Sequence, residues 1–222
     1  MLHVFKTGFR SNPNVGLYVY VTDTYCLVGP EVPDEQITKL EETFEVPVHK
    51  MSIAGTGLLG VFMAGNNTCV LVPSIILDRE TKILEKLQIP YKIIQTDFTA
   101  LGNNILVNDY GCLVSPDYNE KERSAISAAL GMPVKEFQIS DLTIIGSCAV
   151  ATNKGCLVHR GAQKFEEDMI ANTLQVPVTK GSVNLGNPYI KGGLAANNKG
   201  MIVGDISGGP EIVYAEEALR GE

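Results

Sequence analysis

The 222-residue chain is predicted to fold as an α/β ring of five blades, a propeller with pseudo-five-fold symmetry, on three observations. Cys26, Cys69, Cys112 and Cys156 stand 43, 43 and 44 residues apart, and Met201 follows 45 further on in the same local context. A proline stands 21 residues after each cysteine, at Pro47, Pro90, Pro133 and Pro177, each behind an apolar residue. The segment ahead of the first marker matches the one that the last repeat lacks. Self-similarity at about 44 residues means supersecondary units that bury their apolar faces only by packing on their neighbours.

Each unit reads as strand, strand, helix, strand. The runs Leu17-Tyr18-Val19-Tyr20-Val21 and Tyr25-Cys26-Leu27-Val28 are rich in β-branched and aromatic residues, as paired strands are. Asn, Asp or Gly between them, as in Asn66-Asn67-Thr68 and Asn153-Lys154-Gly155, suits a tight hairpin turn. Pro30, Pro73 and Pro116 then end the second strand. Fourteen and eighteen residues after the markers come Leu40, Ile83, Ile126, Ile170, Ala215 and Phe44, Leu87, Leu130, Leu174, Leu219. Apolar residues four apart share one face of an amphipathic helix, and Asp34 and Asp78 are expected to cap the first two helices. A third strand follows each X-Pro pair, as in Val48-His49-Lys50.

Residue 5 precedes Cys26 by the 21 positions that separate Val48 from Cys69 and Tyr91 from Cys112. The N-terminal strand, about Leu2 to Phe9, is therefore expected to complete the fifth blade, which removes exposed sheet edges. All-strand and all-helix repeats of similar period explain neither the strands nor the helix inside one unit. One domain spanning residues 1–222, with the helices outside, is the expectation.

With 45% hydrophobic residues the chain can bury a sizeable core, and no apolar run reaches the length of a membrane span. Five cysteines, four at strand positions, suggest reduced, buried thiols and a cytoplasmic protein. A net charge of -7 argues against a general grip on nucleic acid, which depends on Lys and Arg, so little direct nucleic-acid binding is expected. No C-x-x-C or H-x-x-x-H spacing marks a metal site, and no cofactor is expected. His3, His49 and His159 stand singly; His159 follows Cys156 by three, on the opposite face of a strand, against a thiolate-imidazole pair. Ser207-Gly208-Gly209-Pro210 reads as a helix start with Pro210 near its first turn, ahead of an anion cradle.

What remains is a repeated loop leading into each blade: Asn12 to Gly16, Gly57 to Val61, Leu101 to Asn104, Gly146 to Cys148 and Gly186 to Pro188. Pseudo-symmetry gathers all five at one end of the ring. Glycine and asparagine there make the turn, while Val61, Asn103, Ser147 and Asn187 beside them differ and shape the rim. A varied rim on a rigid scaffold without reactive groups suits protein recognition.

Across its length the chain resembles the translation initiation factor 6 family of archaea and eukaryotes. The segments that carry the likeness are Thr24-Tyr25-Cys26-Leu27-Val28, Ser52-Ile53-Ala54-Gly55, Ala100-Leu101-Gly102-Asn103, Asn108-Asp109-Tyr110, Gly146-Ser147, Thr152-Asn153-Lys154-Gly155-Cys156-Leu157 and Gly209-Pro210-Glu211, in that order. The resemblance implies the pentein fold, a five-bladed propeller. It implies a factor that binds the intersubunit side of the large ribosomal subunit, chiefly a uL14-type protein near the sarcin-ricin loop. Small-subunit joining is then blocked sterically, with a further role in large-subunit biogenesis and no catalysis. The implied contact face is the lead-in rim: Asn12, Asn14, Gly60, Val61, Leu101, Gly102, Asn103, Gly146, Ser147, Cys148 and Asn187. Val61 and Cys148 depart from the basic and aromatic residues of some eukaryotic members. A chain ending at Arg220-Gly221-Glu222 lacks the long eukaryotic tail, so an archaeal-type factor, monomeric, is expected. Guanidine-modifying enzymes such as arginine deiminases resemble it in fold type only; they use a late nucleophilic cysteine and a histidine, and here no cysteine follows Cys156 and no histidine His159.

Overall fold

The computed structural model describes residues 2–221. Each blade is a three-stranded sheet with one pattern: in the first, Val19–Val21 runs antiparallel to Cys26–Val28, which pairs in parallel with Val48–Lys50. Ala64–Gly65, Val70–Pro73 and Tyr91–Ile94 repeat it, as do Ile105–Val107, Cys112–Val114 and Val134–Glu136. Ala149–Ala151, Cys156–His159 and Val178–Gly181 make the fourth. In the fifth, Leu194–Ala196 and Gly200–Gly204 are completed by His3–Thr7, with Val4 opposite Met201. The ring closes as the spacing predicts.

The first strand of each blade lines an axial cavity of about 100 Å³, and the helices lie outside. Because side chains alternate along a strand, one middle strand feeds two cores. Cys26 and Val28 pack with Phe9, Ala195 and Ile202 of the closing seam, while Leu27 packs with Val70, Val72 and Leu84 of the second blade. Five such cores lie between neighbours, so each blade is stabilised by the next rather than by a shared centre.

The outer helices are Ile37–Phe44, Asp78–Lys86, Glu120–Leu130, Lys164–Leu174 and Gly209–Arg220. Asp34 and Asp78 are not their caps. Asp34 opens a short turn ahead of the first helix and pairs with Lys50, and Asp78 is already the first residue of its helix, after Leu77. In the second blade the helix begins one residue later, counted from its cysteine, than in the third and fourth, so Leu84 is buried where Ile83 was expected, and Ile83 is half-buried. Four helices carry a glutamate at their third position, Glu80, Glu122, Glu166 and Glu211, whose carboxylate accepts the N–H of the residue before the helix. For Gly208-Gly209 this internal carboxylate replaces the anion that the sequence left open.

One end of the ring is closed by a polar belt in the hairpin turns. Asp23 N–H donates to Asn67, Asn67 N–H to Asp109, Asp109 N–H to Asn153, Asn153 N–H to Asn198, and Asn198 N–H back to Asp23, all at 2.8–3.0 Å. Asp23 and Asp109 each also accept from two asparagine side-chain amides.

Candidate functional site: the rim opposite the belt

The second and third strands of every blade run away from the belt, so their outgoing links and the lead-in turns share the opposite face. The turns are single helical turns: Val15–Tyr18, Leu59–Phe62, Leu101–Asn104, Ile145–Cys148 and Ile190–Gly193. Each follows a residue with φ between -77° and -86° and ψ between 56° and 82°: Asn14, Leu58, Ala100, Ile144 and Tyr189. This common geometry aligns the five turns residue by residue.

The second position holds Gly16, Gly60, Gly102, Gly146 and, in the fifth, Lys191. None of these glycines has positive φ, so turn geometry does not select them. A Cβ on Gly16 would overlap the carbonyl oxygen of Lys191, on Gly60 that of Gly16, on Gly102 that of Gly60, and on Gly146 that of Gly102. Close approach of backbone to backbone, turn upon turn around the axis, is what requires glycine. The third position, half-buried at the surface, holds Leu17, Val61, Asn103, Ser147 and Gly192.

This register revises the expected rim. Asn187 does not hold the fifth slot: it closes a turn with Val183 that is one residue longer than its counterparts Phe9 to Asn12, Ile53 to Thr56 and Ile139 to Leu142. Asn187 is thus the equivalent of Asn12, and Lys191 and Gly192 take the positions of Gly60 and Val61. Leu101 and Cys148 are fully buried, so their side chains support the rim from beneath, and Gly60, Gly102 and Gly146 offer only backbone. Asn12, Asn14, Val61, Asn103, Ser147 and Asn187 keep accessible surface on this face.

The outer turns are held in place by the helix carboxylates, which sequence reasoning missed. Their tips carry left-handed pairs such as Ala54-Gly55 and Ser140-Asp141. Glu80 accepts the N–H groups of Ala54 at 2.8 Å and Gly55 at 2.9 Å and the Ser52 hydroxyl at 2.7 Å. Glu211 does the same for Leu185, Gly186 and Ser182, and Glu166 for Ser140. Burial alone would raise the pKa of Glu80; the hydrogen bonds from Ser52, Leu77, Gly55 and Ala54 outweigh it and hold the carboxyl below its ordinary value. The recurrence of glutamate ten residues after the marker, at Glu122, Glu166 and Glu211, and eleven after it at Glu80, is the signal that finds these residues.

Six exposed large apolar side chains lie on the links of this face, Ile75, Leu77, Phe98, Leu185, Tyr189 and Ile206, against Tyr110 alone among the described residues of the belt turns. At the centre is a depression of about 230 Å³ lined by Leu17, Asn103, Ile144, Ser147, Tyr189 and Gly192, with Lys191 in its floor. The Tyr189 ring stacks edge-on against His159, centroids 6.3 Å apart, and His159 Nδ1 accepts the Gly161 N–H at 2.9 Å. Burial, helped by Arg160, lowers the His159 pKa. The Lys191 ammonium reaches across the ring to donate to Gly102 O at 2.9 Å, and the residue also borders the axial cavity beneath.

All five cysteines are buried as free thiols. Burial raises the pKa of Cys26, Cys69 and Cys112 and pushes Cys148 and Cys156 up to about 12, which suppresses the thiolate that nucleophilic chemistry needs. No group of His, Cys, Asp and Glu among the described residues is arranged to hold a metal ion. No described helix is long and apolar enough to cross a membrane.

The profile of the eIF-6 family matches residues 4–218. Translation initiation factor 6 of Staphylothermus marinus is 35% identical over 224 residues, covering 99% of each chain, and that of Thermococcus gammatolerans is 38% identical over 224 residues, covering 98% of each. Among solved structures, a dimethylarginine dimethylaminohydrolase superposes with a TM-score of 0.52 at 15% identity, over 75% of this chain and 68% of its own. The N-terminal domain of an arginine dihydrolase superposes with a TM-score of 0.52 at 12% identity, over 79% of this chain and 70% of its own. At these identities the likeness is one of fold, the pentein ring.

Proposed function

Since the chain belongs to the eIF-6 family and is a translation factor, we propose that it docks by its rim on the large ribosomal subunit and prevents the small subunit from joining. The observation that carries this reading is the asymmetry of the two ends: the belt turns satisfy one another, whereas the rim exposes apolar side chains and the Asn103 amide on a braced scaffold. Large exposed apolar groups gathered on one face mark an interaction surface. Pre-organised turns lose little conformational freedom on docking, which favours affinity.

The mechanism is steric. A body of 222 residues seated on the intersubunit surface occupies space the small subunit requires, and no covalent step is involved. The docking partner is chiefly a ribosomal protein of the uL14 type beside the sarcin-ricin loop. The net charge of -7 disfavours a grip on RNA alone. The factor acts as a cytoplasmic monomer, folded as one domain, and binding to immature large subunits would extend the same contact to their biogenesis. The buried, high-pKa thiols favour this non-enzymatic reading over guanidine chemistry.

Co-sedimentation of the purified protein with separated subunits, followed by a subunit-joining assay, tests the proposal. Selective binding to the large subunit with loss of joining is expected. Binding to neither subunit, or joining that proceeds unimpeded with the protein bound, would refute it.

A further inference from the structure

We propose that Lys191 is the receptor for a carboxylate of the docking partner, an aspartate or glutamate side chain or a chain end, received in the depression at the centre of the rim. The inference deepens the docking reading above and rests on it.

Four observations converge. The pseudo-symmetry shows what the fold itself requires: four of five equivalent positions are glycine, so closing the ring does not call for a charged side chain here. The ammonium makes one hydrogen bond, to Gly102 O, and no carboxylate of the described residues lies within 4 Å of it. Two of its three donors therefore lack an acceptor among the described residues. The surrounding depression, about 230 Å³, has room for one side chain and is walled by Leu17, Ile144 and Tyr189, with the Ser147 hydroxyl and the Asn103 amide at its edge. Finally, Lys191 stands in an environment that opposes its charge: burial lowers its pKa to about 8. A cation held at a cost in the surface that docks, with no carboxylate partner among the described residues, is a recognition group.

Charge complementarity requires an anion, and the setting selects the kind. The depression is largely apolar, and Lys191 is the sole cation in its lining, on a chain of net charge -7. A polyphosphate backbone is normally met by several cations together. One carboxylate on an otherwise apolar or basic protein surface fits a single ammonium flanked by an amide and a hydroxyl. Entering the depression, it replaces water at the two open N–H donors and forms charge-assisted hydrogen bonds.

Lys191→Gly, which restores the residue of the other four repeats, and Lys191→Met, which keeps the side-chain bulk, separate recognition from folding. Both should melt no lower than the wild type, yet bind the large subunit at least about ten-fold more weakly in co-sedimentation. Wild-type affinity in both variants, or a fall in melting temperature that accounts for the loss, would overturn the inference. Retention of Lys191-dependent binding on large-subunit RNA stripped of protein would assign the site to phosphate and also overturn it. If the wild type binds no subunit, the docking reading fails by itself. The receptor is then decided by NMR of 15N-lysine-labelled protein titrated with sodium acetate and with sodium phosphate. An acetate-specific shift of the Lys191 Nζ signal, lost in Lys191→Met, supports it; no shift, or one caused by phosphate alone, overturns it.

Discussion

The Asn198 N–H donates to Asp23 Oδ1 at 2.9 Å, joining residues 175 apart in sequence and closing the polar belt between the last repeat and the first. Asp23 also accepts the side-chain amides of Asn67 and Asn198 on Oδ2. Asp23→Ala leaves three donors without their acceptor at the seam. A loss of about 3 kcal/mol is expected, read as a lower urea midpoint. A midpoint equal to that of the wild type would show that water replaces the belt at no cost.

The stacked glycines of the rim make a sharper prediction, because two alanine substitutions of identical chemistry should differ widely. At Gly102 a Cβ would strike the carbonyl oxygens of Gly60 and Met63, backbone that cannot yield without opening the ring. Gly102→Ala is expected to cost at least about 2 kcal/mol. At Gly209 a Cβ meets nothing within 4 Å and φ is not positive, so Gly209→Ala should be neutral or slightly stabilising. Thermal unfolding of the pair checks both.

Acid stability should depend on Glu80. Its folded pKa lies below the ordinary glutamate value, so the unfolded chain binds more protons in the window between the two. The stabilisation is full above the unfolded pKa, about 4.3, and is lost as pH falls through the folded one. Glu80→Gln should therefore be less stable at pH 7 and show a flatter decline on acidification. An unchanged acid limb in urea titrations would contradict the bracing role.

Lys191 should act in the opposite direction. Its folded pKa near 8 lies below the unfolded value of about 10.4. Between them the unfolded chain carries the extra proton, so stability should rise with pH across that window. Lys191→Met should abolish this rise. A wild-type profile that is flat from pH 8 to 10 would show that the ammonium is not desolvated.

Asn103→Ser tests the rim without touching the core. The Asn103 side chain is half-buried at the surface, and its backbone N–H bonds to Ala100 O whatever the side chain. Weaker large-subunit binding with stability within about 0.5 kcal/mol of the wild type is expected. Unaltered binding would remove Asn103 from the contact.

The repeat could be read because blades of one design impose one spacing on strands, turn and helix. Cys26, Cys112 and Cys156 all fall on middle strands that face two cores, which is why small apolar residues recur there. Counted forward from Cys156 the fifth rim slot is displaced by the one-residue extension before Asn187, whereas counted back from Met201 Lys191 stands ten residues ahead of its marker, as Gly16, Gly102 and Gly146 do. Cys148 illustrates another limit: adjacency to Ser147 in the chain does not reveal that one side chain faces solvent and the next faces Ile145 and Ala149.

Period, blade content and ring closure were determined by the sequence alone, because local propensity and apolar spacing are properties of neighbouring residues. Only the tertiary structure decided why the rim glycines are glycine, where Lys191 points and how Glu80 and Glu211 brace the turns. Those relationships arise between segments that meet only once the ring has closed. A carbonyl from one repeat against the backbone of another, or a lysine reaching across the axis from residue 191 to residue 102, leaves no periodic mark along the chain.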